Sequence, residues 1–229
     1  MNGCRKMVVS QTDVTKVQDL VMSAVGPPPE WAKWGGGWPD DIEAALVDAV
    51  FSARTRYTTK NGKGVLALVR AWRAKGDRAS YDLTALANEI DAIGPTKWAK
   101  NFENSQHSPG RPATAPGGAT KAAAVLEAAK AMAAIGISSA ADITDATVVN
   151  AKRELMRVPG IGFATTNYFL MLLGRPGVKP DRMIHRFLET ACGHSFNNAD
   201  AEEVVTTVAD ALDVPAHILD HAVWAYERR

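Results

Sequence analysis

Residues 152–187, KRELMRVPGIGFATTNYFLMLLGRPGVKPDRMIHRF, constrain this chain more than any other stretch. They read as helix, tight turn, helix, bend, helix. Residues 152–156 end a short helix. Pro159 cannot continue it, because proline has no N–H and its ring clashes with the preceding turn. Gly160 and Gly162 permit backbone angles that other residues avoid. Residues 163–173 form a second, mostly apolar helix. The N–H groups of the turn and of that helix's first residues have no helical acceptor and point outward. A helix end of this kind attracts an anion such as phosphate.

The pattern VPGIG between two short helices resembles the helix-hairpin-helix DNA-binding motif. The segment that follows, GRPGVKPDRMIHRF, is similar to the Gly/Pro-rich loop and aspartate of the helix-hairpin-helix DNA glycosylase superfamily, to which endonuclease III belongs. The resemblance is specific over residues 156–187 and extends more weakly back to about residue 40, where DDIEAALVDAVFSARTRY resembles the family's early barrel helix and the turn after it. The first 30 and the last 30 residues show no clear match.

The resemblance implies an all-α, two-lobed fold with the active site in a cleft between the lobes. A helical barrel lobe would span residues 40–176 and include the hairpin at 152–173. Residues 1–39 and 177–229 would combine into the second lobe. The catalytic aspartate maps to Asp181. The hairpin would hold DNA phosphate through the backbone around Val158, Gly160, Gly162 and Ala164, with Arg157, Lys179 and Arg182 beside it. Arg54, at the end of the early helix, maps to the side chain that fills the gap left by an extruded base. A monovalent cation, K+ or Na+, is implied at the hairpin. The partner is double-stranded DNA with a flipped base.

Two departures narrow the activity. Bifunctional members carry a Lys two residues past the motif's second Gly; that position here is Ala164, which has no amine for a Schiff base. The iron–sulfur branch needs four clustered Cys, and this chain has only Cys4 and Cys192. No other cofactor and no other metal site is expected.

The charge pattern agrees with this placement. Net charge is +1, yet Lys152, Arg153, Arg157, Arg175, Lys179, Arg182 and Arg186 face only Glu154 and Asp181 within residues 150–186. The remainder of the chain, from Phe187, carries a net −6. A basic excess on the candidate motif is what phosphate contact requires, although a solvated face has the same composition. Two Cys far apart in sequence give neither a disulfide framework nor zinc spacing, which fits a reducing cytosol. No apolar run in the first 26 residues reads as a signal peptide or membrane span. The expected setting is a cytoplasmic, nucleoid-associated monomer.

Along the chain, residues 12–25 have helical spacing with Thr12 or Asp13 as cap. Residues 30–39, EWAKWGGGWP, are too Gly-rich for a helix. Their Trp31, Trp34 and Trp38 either pin the loop by packing or offer a wall for a base to stack on. Asp40 or Asp41 caps the next helix. Residues 64–75, 83–90 and 94–102 are helical, with Asp82 as a cap. Residues 105–118 are a Pro/Gly-rich loop. Thr120 caps an Ala-rich helix that Gly136 ends. Helices follow to about Cys192, over 199–212 and over 215–228.

Cleaving an N-glycosidic bond leaves an oxocarbenium-like sugar. A fixed carboxylate stabilises that charge and can orient or deprotonate a water. Asp181 is equally well placed to cap the helix after Pro180, and the two roles are compatible. Arg54 has a plain alternative as an exposed Arg favoured by a helix C-terminus. His217 and His221 lie i, i+4 without an evident third ligand. His185 is either a partner of Asp181 or a surface residue. The expected activity is that of a monofunctional DNA glycosylase, serving repair or defence against modified DNA. The alternatives are a non-enzymatic hairpin protein that holds DNA and an unrelated helical protein.

Overall fold

The computed structural model describes residues 9–58, 64–74, 81–102 and 120–228, and no strand occurs among them. The fold is all-α. Among the described residues there are eleven α-helices: α1 (Gln11–Leu20), α2 (Ile42–Phe51), α3 (Val65–Ala74), α4 (Leu83–Ile93), α5 (Pro95–Trp98), α6 (Lys121–Ala134), α7 (Val148–Arg157), α8 (Phe163–Leu172), α9 (Arg182–Cys192), α10 (Asn198–Ala211) and α11 (Ala216–Glu227). None of them is long and apolar enough to cross a membrane. The loop expected at 105–118 and Cys4 lie outside the described residues.

The helix boundaries follow local capping chemistry. Asp41, Asp82 and Thr120 accept from the backbone N–H three residues on, as expected for α2, α4 and α6. Gly136, with φ of +79°, ends the turn after α6 in a conformation that costs a side-chain-bearing residue about 1–2 kcal/mol. The first helix departs from expectation. Its cap is Ser10, not Thr12 or Asp13: Ser10 Oγ accepts from Asp13 N at 3.1 Å and donates to Asp13 Oδ2 at 2.8 Å. Asp13 is thus the returning half of a capping pair. α1 continues as a wider π-helical turn, Val21–Val25, before Gly26 and the prolines stop it.

The chain divides into two compact units, residues 37–174 and residues 1–36 joined with 175–229. In the first unit, α2 packs on α8, α3 and α6, and α4 lies along α6. Every residue of α2 is buried, including Glu43 and Asp48. Burying a carboxylate is costly unless it is paired and hydrogen-bonded. Glu43 lies 3.5 Å from Arg73 Nη1, and the same guanidinium reaches Asp41 at 2.6 Å. Asp48 accepts from Trp38 Nε1 at 2.9 Å, Ser52 Oγ at 2.9 Å and the Tyr57 hydroxyl at 3.0 Å. Trp38 is therefore held through its indole N–H. Phe51, Trp72, Trp98 and Phe102 form the aromatic heart of this unit.

The second unit is built on α1, α9, α10 and α11, with Val14, Val17, Phe187, Leu188, Val204 and Val208 in its core. Trp31 belongs to that core, its Nε1 donating to Gly26 O at 2.7 Å. Trp34 sits edge-on to His217 at 4.9 Å between centroids.

Candidate functional site

The hairpin lies in the unit of residues 37–174. α7 ends at Val158, which is extended and buried. Gly160 has φ of +94°, in the left-handed region where a Cβ is strained. Ile161, also buried, donates its N–H to Val158 O at 3.0 Å and closes the turn. Val158 and Ile161 thus anchor the loop by their side chains and leave the backbone between them outermost.

Gly162 is the N-cap of α8 and supplies no side-chain acceptor. The first bond of the helix runs from Thr166 N to Gly162 O at 3.0 Å. The N–H groups of Phe163, Ala164 and Thr165 precede it and have no helical acceptor; all three residues are partly exposed. Gly162 itself has an ordinary extended φ of −107°, and a Cβ there would meet nothing within 4 Å. At Gly37 and Gly64, by contrast, a Cβ would fall 2.2 and 2.1 Å from backbone oxygen. The fold demands glycine at those two positions and not at Gly162. Gly162 leaves open space at the N-terminus of α8, where the first N–H groups have no helical acceptor.

Asp181 lies in the other unit. It caps α9: Oδ1 accepts from Met183 N at 2.8 Å and from Ile184 N at 3.4 Å. Oδ2 takes neither bond and faces Lys179 Nζ at 3.9 Å, with about a quarter of the side chain exposed. The capping reading of Asp181 is met by Oδ1, while Oδ2 pairs with Lys179.

Beneath this loop is a residue that sequence reasoning missed. Asp220 of α11 is buried, and its Oδ1 accepts from Lys179 N at 2.8 Å, fixing the backbone two residues before Asp181. Burial, with the charge of Asp181 adding to it, pushes the Asp220 carboxyl up to about 7. Its only signal in sequence is an acid set among Leu219, Ala222 and Val223.

Arg54 is exposed and follows the C-terminus of α2 with φ of +54°, a left-handed backbone unusual for a residue with a Cβ. The turn is held from behind by Lys121, whose buried ammonium donates to Phe51 O at 3.0 Å and Thr55 Oγ1 at 2.8 Å. Burial lowers the Lys121 pKa to about 8. An inward lysine supporting a strained, outward arginine could not be read from the Ala-rich α6 pattern.

The remaining expected residues sort by unit. Arg157 is bound to Glu154 at 2.7 Å, which neutralises part of the basic excess on α7. Lys179 and Arg182 flank Asp181, and Arg182 is exposed. His185 does not partner Asp181; its ring pairs with Asn198 Oδ1 at 2.9 Å, because its position on α9 turns it toward the start of α10. His217 and His221 are half-buried beside Trp34 and Trp224, and burial lowers both pKa values.

The family model of a domain of unknown function, DUF8548, matches residues 15–228, and the chain belongs to that family. No curated protein matches the chain, and no solved structure does.

Proposed function

We propose that this chain is a monofunctional DNA glycosylase of the two-lobed helix-hairpin-helix type, hydrolysing the N-glycosidic bond of a damaged or modified base and leaving an abasic site. The observation that carries the reading is Gly162. A glycine that neither backbone strain nor packing requires stands before three N–H groups that have no helical acceptor, in the sequence context that also supplies Asp181 one bend later. Those N–H groups suit a phosphate oxygen and position the duplex without reading its sequence.

In this scheme the target base leaves the stack at a cost of a few kcal/mol, and Arg54, projecting from its strained turn, takes its place. Asp181 Oδ2 faces the anomeric carbon. It stabilises the oxocarbenium charge as the C–N bond breaks and its electron pair leaves on the base. It then orients a water whose oxygen forms the new bond to that carbon and whose proton passes by way of the carboxylate to the departed base. Lys179 and the Asp220 hydrogen bond keep the carboxylate in place. Ala164 provides no amine, so the strand stays intact.

The test is a panel of duplexes, each with one alkylated, oxidised, deaminated or hypermodified base, read for alkali-labile abasic sites. Strand breakage at one base type, only after alkali, is the expected result. Duplex binding without excision on any member would favour the non-enzymatic hairpin protein.

A further inference from the structure

We propose that Asp13, Cys192 and His194 form a binding site for a zinc-class divalent cation, with the fourth position open to the adjoining cavity. This site uses none of the residues assigned to the glycosylase scheme and does not rest on that reading.

Three segments build it. Asp13 stands in the first turn of α1, Cys192 ends α9, and His194 follows Gly193, whose left-handed φ of +79° reverses the chain. One ligand atom from each residue lies within 4.8 Å of the others. His194 Nε2 and Asp13 Oδ1 are 3.2 Å apart. Two donors bound to one tetrahedral ion at about 2.0–2.1 Å stand at about that separation. Carboxylate, imidazole and thiol together are a donor set for zinc and not for magnesium or calcium.

The supporting shell distinguishes this cluster from a plain ion pair. Metal-bound His and carboxylate groups characteristically have their other polar atom held by a neighbour. His194 Nδ1 lies 3.3 Å from Ser195 O and can donate there, so Nε2, which faces Asp13 Oδ1, is the nitrogen that exchanges its proton for the ion. Asp13 Oδ2 accepts from Ser10 Oγ at 2.8 Å, leaving Oδ1 for the ion. An ion pair between Asp13 and His194 would need neither the thiol beside it nor an opening. Here a cavity of about 410 Å³ is lined by Ser10, Asp13, His194, Phe196 and Asp200. It gives the ion a route in and a water a place to bind.

The Cys192 thiol donates to Asp13 O at 3.8 Å and so sits beside the other two donors. Coordination releases the thiol proton to solvent and forms the sulfur–metal bond in its place. Asp13 and His194 are 181 positions apart, so the ion would tie α1 to the turn between α9 and α10.

Full-length protein, stripped by chelator and dialysed, is titrated with zinc chloride by calorimetry at two buffer ionisation enthalpies. The expected result is one saturable equivalent with proton release and a rise in Tm. Cobalt chloride is expected to give a sulfur-to-cobalt charge-transfer band in the near ultraviolet that Cys192→Ser abolishes. His194→Gln, at a largely exposed residue, is expected to keep the fold and lose affinity by about tenfold or more. The proposal is overturned if zinc gives no saturable equivalent, if magnesium chloride raises Tm equally, or if the cobalt band survives in Cys192→Ser.

Discussion

Asp220 gives the structure a pH dependence that a single substitution removes. Its carboxyl is raised from 3.8 to about 7 in the folded chain. Below about pH 4 both folded and unfolded forms carry the proton, and the group contributes nothing. Between those two values the unfolded chain has released its proton while the folded chain keeps it, so stability falls as pH rises. Above about pH 7 both forms are ionised and the loss is complete. At about 1.4 kcal/mol per pKa unit, the total is roughly 4 kcal/mol. Asp220→Asn keeps an acceptor for Lys179 N and never ionises. Its stability relative to the wild type should therefore improve by roughly 4 kcal/mol from pH 4 to pH 8. In a chain of this length that corresponds to a relative Tm shift of roughly 8–16 °C. Thermal melts followed by circular dichroism at half-unit pH steps measure the difference directly. Because only the change in the gap is read, a constant cost of fitting the amide cancels. Parallel curves for the two proteins would refute the buried, proton-retaining Asp220.

Gly162→Val should cost only about 1 kcal/mol of stability, that of a poorer N-cap, since a side chain there meets no atom, yet weaken duplex binding irrespective of sequence. An unchanged Kd by fluorescence anisotropy would remove the hairpin as a phosphate site. Arg54→Gly should relieve the left-handed backbone and stabilise the fold by up to about 1 kcal/mol. Excision should fall more in fully paired duplex than at a mismatch, where extrusion is cheaper. Equal losses in single-turnover assays on both substrates would assign Arg54 to phosphate contact or structure.

The parts of the fold that were legible in sequence are those fixed by local chemistry. Asp41, Asp82 and Thr120 cap helices because their oxygens reach the third N–H on, and that requires only the right residue before an apolar run. The turn of Gly160 was legible because proline fixes φ and glycine alone adopts a left-handed φ without strain, whatever surrounds them. Ser10 was missed because Asp13 looks like a cap and is instead its partner. The buried polar groups were not legible at all. Periodicity assigns a residue to a face and says nothing of what it meets there. Asp48 reads as an interruption in the apolar α2 until Trp38, Ser52 and Tyr57 converge on it. Lys121 and Asp220 are likewise explained by carbonyl and N–H groups distant in sequence. Short-range spacing rules cannot find Asp13, Cys192 and His194 either, since the ligands come from both ends of the chain. At the candidate site, the order of hairpin, loop and aspartate was visible, while which Asp181 oxygen caps α9 and which faces Lys179 depends on the three-dimensional fold.

The most direct measurement is single-turnover excision by wild type and Asp181→Asn on the best duplex of the lesion panel, with DNA affinity and Tm recorded for both proteins. Asn retains much of the capping ability of Asp, so Tm should change by less than about 1 kcal/mol equivalent, and duplex binding should persist. Loss of the charge facing the oxocarbenium ion should lower the excision rate at least about a hundredfold. The wild-type product should be an uncut abasic strand, with no adduct trapped by borohydride. Full excision by a folded, DNA-binding Asp181→Asn protein would contradict the account, as would a borohydride-trapped Schiff base in the wild type.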